Sequence, residues 1–157
     1  TRIETVEAYL RALVDALILH PCEQVGLSGK DILRPQRKFY PVDTGLRNLA
    51  SGFVSRDIGF QIENVVCNEL LRRGWSVSVG SLRVGEVDFV AERAQKQMYI
   101  QVTESLVDQG VYEREISPLR LIGDSWPKFI LTADRLRCGV TEEGIAIINV
   151  IDWLLDK

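Results

Sequence analysis

Residues 84–105 read VGEVDFVAERAQKQMYIQVTES, and the fold turns on how this stretch is read. Two short apolar runs, VDFVA and MYIQV, have the length and β-branched or aromatic content of strands. Yet Glu86, Asp88 and Gln101 stand where a buried sheet prefers aliphatic side chains. Alternation along a strand puts Glu86 and Asp88 on one face and Val87 and Phe89 on the other, and Gln101 and Thr103 opposite Ile100 and Val102. Two adjacent strands then bring Asp88 and Gln101 side by side.

Working outward, WSVSVGSL is a third strand-like run, and residues 57–73 form a helix that Gly74 terminates. On a helical wheel Gln61, Asn64, Asn68 and Arg72 share a narrow polar stripe. Glu63 falls among Phe60, Val66, Cys67 and Leu70, so its carboxylate points at apolar packing and needs a partner, a proton or a metal. A structural ion pair is the commoner fate of such an acid. Taken with Asp88 and Gln101, it completes a set of oxygen ligands able to hold a hard cation such as Mg²⁺ or Mn²⁺, which positions a phosphate and a water for hydrolysis. The competing view is that Glu86 and Asp88 mark a strand end reaching solvent.

Downstream, a helix over 113–122 containing Pro118 precedes the strands KFILTA and IAIINV and a short tail helix, IDWLLDK. Strands interleaved with helices predict an α/β protein with a mixed sheet covered on both faces. Upstream, Ile3, Val6, Leu10, Leu13, Val14, Leu17 and Ile18 recur at helical spacing, and Pro21 is expected to end that helix, with His20 facing its last carbonyls. CEQVGL and KFYPV follow as strands joined through Ser28-Gly29-Lys30. A helix and a basic hairpin outline a winged-helix unit of which only the last helix is present.

The net charge of −3 and a pI near 5.3 exclude a surface that grips nucleic acid throughout. A local basic patch remains, with Lys30, Arg34, Arg37, Lys38 and Arg47 against Asp31 and Asp43; Lys30, Arg34, Arg37 and Lys38 are the candidates for phosphate contact. Cys22, Cys67 and Cys138 form no CxxC pair and read as reduced and structural. No apolar run is long enough to span a bilayer and the chain opens on charged helical sequence, so a cytoplasmic location and no membrane partner are expected. Trp75, Trp126 and Trp153 read as packing anchors, and YEREISPLR as a solvated helix start.

Lys38-Phe39-Tyr40, Asp43-Thr44-Gly45-Leu46, IENVVCNELLRRG, GEVDFVA and YIQV, in that order, resemble the C-terminal region of a large group of bacterial and archaeal AAA-type ATPases. That region is similar to the PD-(D/E)XK, or restriction-endonuclease-like, superfamily. The resemblance implies a partial winged-helix segment in residues 1–37, an ATPase domain upstream, and a nuclease-like domain in 38–157 with a restriction-endonuclease-like sheet flanked by helices. No GxxxxGK[ST] occurs, so no ATP site is expected in this chain. Carried over by motif, Glu63, Asp88 and Gln101 take the catalytic positions, with Asp88 and Gln101 as ligands of a weakly held Mg²⁺ or Mn²⁺. Thr103 stands where the motif has lysine, and a hydroxyl neither activates water nor offsets phosphate charge as an ammonium does. Lys96 and Lys128 are the other lysines considered for that role, both expected at solvated strand edges. The implied function is a DNA-associated nuclease-like domain with a degenerate site. The alternative is a non-catalytic module that docks a partner or a second copy of itself.

Overall fold

Helix α1 (Ile3–Asp15) stops earlier than its hydrophobic period suggests. Leu17 adopts a left-handed φ of 57°, its N–H donates to Val14 O, and Ile18 N–H donates to Leu13 O, which closes the helix in a Schellman turn. The chain is then free to enter strand β1 (Leu19–Gly26), so Pro21 and His20 lie in a strand and not at a helix end. Pro21 sits where β1 pairs only with β2 (Arg37–Pro41), a position where its missing N–H leaves no ladder gap. The computed structural model describes residues 2–27, 36–52 and 58–156, so the Ser28-Gly29-Lys30 turn lies outside the described residues.

Helix α2 (Thr44–Ser51) was not signalled by any apolar stripe, because Leu46 and Leu49 stay exposed. Its start is local chemistry: the Asp43 carboxylate accepts the N–H groups of Gly45 and Leu46, and a Cβ on residue 45 would fall 2.9 Å from Asp43 Oδ1. Asp43-Thr44-Gly45 is therefore a helix cap. Helix α3 (Ile58–Arg72) follows, then β3 (Ser76–Ser81), β4 (Glu86–Arg93), β5 (Lys96–Thr103), α4 (Gln109–Arg120), β6 (Lys128–Thr132), β7 (Gly139–Val140), β8 (Ala146–Asn149) and α5 (Val150–Leu155). Within α4, the Arg114 carbonyl that Pro118 cannot serve accepts the Ser117 hydroxyl instead.

The fold is mixed α/β. Eight strands form a mixed sheet in the order β2-β1-β3-β4-β5-β6-β8-β7, with helices on its faces. β1 is parallel to β3 through Gln24, Val25 and Gly26, so β1 shares the sheet of the rest, and the expected division after residue 37 falls inside β2.

Two apolar layers cover the sheet. Val66, Cys67 and Leu70 of α3 pack with Phe89, Ala91, Ile100 and Val102, while Ile116 and Leu119 of α4 pack with Val87, Val90, Tyr99 and Ile130. Val87 and Val90 are three residues apart yet share the α4 layer, which simple alternation forbids. The register between β3 and β4 slips between Ser78 and Gly80, so β4 carries one extra residue at Asp88-Phe89. A bulge re-aims side chains in this way. Phe89 is the residue displaced: it joins the α3 layer, while Asp88 stays on the side of Glu86, both beside Lys38, as the alternation of VGEVDFVA expects.

Candidate functional site

The β4–β5 ladder ends at Phe89 opposite Ile100, and beyond that pair side chains take over the hydrogen bonding. The Val102 N–H donates to Asp88 Oδ2 at 2.9 Å, and the Asp88 N–H donates to Gln101 Oε1 at 3.3 Å. Backbone groups that the ladder abandons need partners when buried. Asp88 and Gln101 supply them, and both are buried.

From α3, Glu63 reaches the same place. Its Oε1 accepts the Tyr40 hydroxyl at 2.5 Å and lies 3.5 Å from Lys38 Nζ. Tyr40 is wholly buried between Phe60, stacked at a 6.0 Å centroid distance, and Phe89, tilted at 5.5 Å. Lys38, two residues earlier on β2, projects to the same side and lies 2.8 Å from Glu86 Oε1 and 3.8 Å from Asp88 Oδ1. One ammonium thus faces three carboxylates.

Electrostatics follow from that packing. Burial, and next the Glu63 charge, push the Asp88 carboxyl up to about 8, against the opposing pull of the Val102 N–H and Lys38. Burial pulls the Lys38 ammonium down, but Glu86, Glu63 and Asp88 together outweigh it and its pKa rises. Burial and Glu63 raise the Tyr40 phenol far above its usual range, so it remains a hydrogen-bond donor.

On the α4 side, Gln101 Nε2 donates to Glu115 Oε2 at 2.8 Å, and Arg114 donates to Glu115 Oε1 through Nε at 3.0 Å and Nη2 at 2.7 Å. Glu115 is 6% exposed, so the expected solvated helix start is half wrong: Arg114 is solvated, Glu115 is not. The only sequence signal was its spacing from Ile116 and Leu119, which puts it on the buried side of α4. Thr103 is buried, with its hydroxyl on Ser105 O at 3.4 Å. Lys128 pairs with Asp124 and lies over the Tyr99 ring, and Lys96 opens β5 at the end away from Gln101.

An uncharacterised protein of Haemophilus influenzae is 36% identical to the chain over 156 residues. The match covers 99% of the chain and 38% of that relative's length. No protein-family model matches, and no solved structure does. Among the described residues no helix is long and apolar enough to cross a membrane.

The described members of the basic patch are each engaged separately. Lys30 and Arg34 lie outside the described residues. Arg37 is exposed and pairs across the hairpin with Glu23 at 3.0 Å, and Arg47 lies over the Phe60 ring. Lys38, expected on a phosphate, is instead turned into the acid cluster. The polar stripe of α3 is also used internally: Asn64 and Asn68 donate to Pro41 O and lock the end of β2 to the helix. Trp75 and Trp153 do pack, under Arg93 and Arg73 respectively, whereas Trp126 is 39% exposed.

A divalent cation does not suit the donors as they are disposed. Mg²⁺ requires a near-octahedral set of oxygens at about 2.0–2.1 Å. Here Asp88 Oδ2 serves Val102, Gln101 Oε1 serves Asp88, and Glu63 Oε1 serves Tyr40. Among the described residues, no group of three or more His, Cys, Asp or Glu side chains is placed to hold a metal ion.

Proposed function

We propose that the chain is a nuclease-like, DNA-associated accessory domain of an AAA-type ATPase, with a restriction-endonuclease-like fold, a partial winged-helix segment before it, and a degenerate active site. One observation carries the reading: of the three residues picked out by motif, Glu63 and Asp88 share the Lys38 ammonium, and Gln101 accepts the Asp88 N–H where β4 and β5 part. A bulge directly beside Asp88 supports it, since bulges gather beside active sites. The greater length of the Haemophilus influenzae relative is compatible with a further domain such as the ATPase. Thr103 in place of the motif lysine, together with donors already engaged, argues for little or no hydrolysis.

The test is incubation of the purified chain with duplex, branched and single-stranded DNA, with Mn²⁺ or Mg²⁺, beside an Asp88→Ala control. Salt-sensitive retention of DNA without cleavage is expected. Cleavage lost in the control would establish a working phosphodiesterase, and no retention at low salt would defeat the DNA association.

A second reading, a non-catalytic interaction module, is favoured by α1. Ile3, Val6, Tyr9 and Leu13 are exposed along it and no residue of the helix is buried. An apolar helix face of this kind marks association surfaces. Sedimentation of the wild type beside Val6→Glu tests it: a concentration-dependent dimer abolished by the substitution supports the module, and a monomer throughout removes self-association.

A further inference from the structure

We infer that Lys38 is the site's own cation, a tethered ammonium that fills the place a divalent ion would take among Glu63, Glu86 and Asp88. The inference rests on the nuclease-like reading above only for which ions to offer.

Placement comes from the sheet. β2 is an edge strand, and lysines on edge strands ordinarily reach into solvent. The register of Cys22 with Lys38 and His20 with Tyr40, together with the Asn64 and Asn68 contacts to Pro41, fixes β2 against α3. Lys38 and Tyr40, two residues apart, then project to one side and both reach Glu63 Oε1. The Lys38 ammonium lies within 3.8 Å of a carboxylate oxygen from each of Glu63, Glu86 and Asp88, and its side chain is 31% exposed.

The three acids come from α3 and from the start of β4, and each places a carboxylate oxygen within 3.8 Å of the same ammonium. Ammonium and metal ion are therefore alternatives. Lys38 also explains how the site tolerates Thr103: positive charge is present, but delivered from β2 and spent on the acids rather than on a substrate phosphate. A lysine so engaged keeps the acids together and keeps hard cations out.

The experiment is calorimetric titration of Mn²⁺ into the wild type and into Lys38→Met, which preserves side-chain length and removes the charge. Each is checked for folding by circular dichroism. Lys38→Met should bind Mn²⁺ at least about tenfold more tightly than the wild type, and a further Asp88→Asn change should abolish that gain. Equal or weaker binding by Lys38→Met overturns the assignment. Should that variant fail to fold, the ammonium signal of Lys38 in the ¹⁵N-labelled wild type decides: persistence in excess Mg²⁺ supports the tethered cation, and its displacement by Mg²⁺ overturns it. Failure of the nuclease-like reading is read elsewhere, as no DNA retention by the wild type, whatever the ratio of the two Mn²⁺ affinities.

Discussion

Asp88 and Gln101 each hold a hydrogen bond that the sheet would otherwise lose: Asp88 Oδ2 accepts the Val102 N–H, and Gln101 Oε1 accepts the Asp88 N–H. The residues the motif marks as chemical are thus also structural. Substituting either one changes stability as well as any activity, and a loss of function alone would not separate the two roles.

Asp88 gives that structural role a pH signature. Its carboxyl is pushed up to about 8 in the folded chain, against an ordinary value of 3.8. Between those values the native state binds more protons than the unfolded one, so stability falls as pH rises through the window. Asp88→Asn keeps an acceptor for the Val102 N–H and removes the titration. Urea midpoints taken at intervals from pH 5 to pH 8 should therefore decline more steeply for the wild type than for Asp88→Asn. Parallel curves would mean that Asp88 does not prefer its proton. Asp88→Ala, which leaves the Val102 N–H without its acceptor, should fall below Asp88→Asn by about 1–3 kcal/mol.

Glu115 is expected from the sequence in solvent but is buried, and its removal should be felt through Gln101. Glu115→Ala strands the Gln101 amide N–H and frees Arg114, and is expected to destabilise by about 1–3 kcal/mol. Glu115→Gln retains an acceptor for Gln101 and should lose less. A urea denaturation series on the two variants checks the order; equal losses would assign the effect to the Arg114 ion pair instead.

The alternating and helical periods of the sequence were enough to place most of the sheet and helices α3 and α4, because those elements bury a regular face. Three departures share one cause, local hydrogen bonding that hydrophobic period does not encode. The Leu17 turn ended α1 early, the Asp43 cap started α2 without a core stripe, and the bulge at Asp88-Phe89 turned Phe89 to the other face of the sheet. Glu63, Asp88 and Gln101 were legible as a set because a motif fixes their order. Lys38 was legible as a cation but not as a member of the site, since its partners come from α3 and β4, distant in sequence. The β1–β2 register and the Asn64 and Asn68 contacts to Pro41 put it there.

The cysteines allow a direct count of buried thiols. Cys22 and Cys67 Sγ atoms lie 3.7 Å apart in the α3 layer, while Cys138 is exposed, and all three are free. The Cys22 contact and burial push the Cys67 thiol up, which further slows its reaction as a thiolate. A chromogenic disulfide reagent should titrate only Cys138 in the native chain and all three cysteines in guanidinium. Rapid reaction of all three without denaturant would show that the layer between β1 and α3 opens readily.

Gly80 tests the bulge itself. It stands where the β3–β4 register slips, and a Cβ there would lie 2.6 Å from Leu27 Cδ1 and 3.0 Å from Val90 Cγ2. Real Cβ atoms do not approach neighbours so closely, so Gly80→Ala must push Leu27 or Val90 aside. Overpacking of this kind costs about 1–3 kcal/mol. Because Val90 follows the bulge directly, the displacement should also disturb Asp88. Gly80→Ala is therefore expected to lower the urea midpoint and to alter the pH dependence of stability between pH 5 and pH 8. A variant as stable as the wild type, with an unchanged pH profile, would mean that Leu27 yields and the bulge does not depend on the missing side chain.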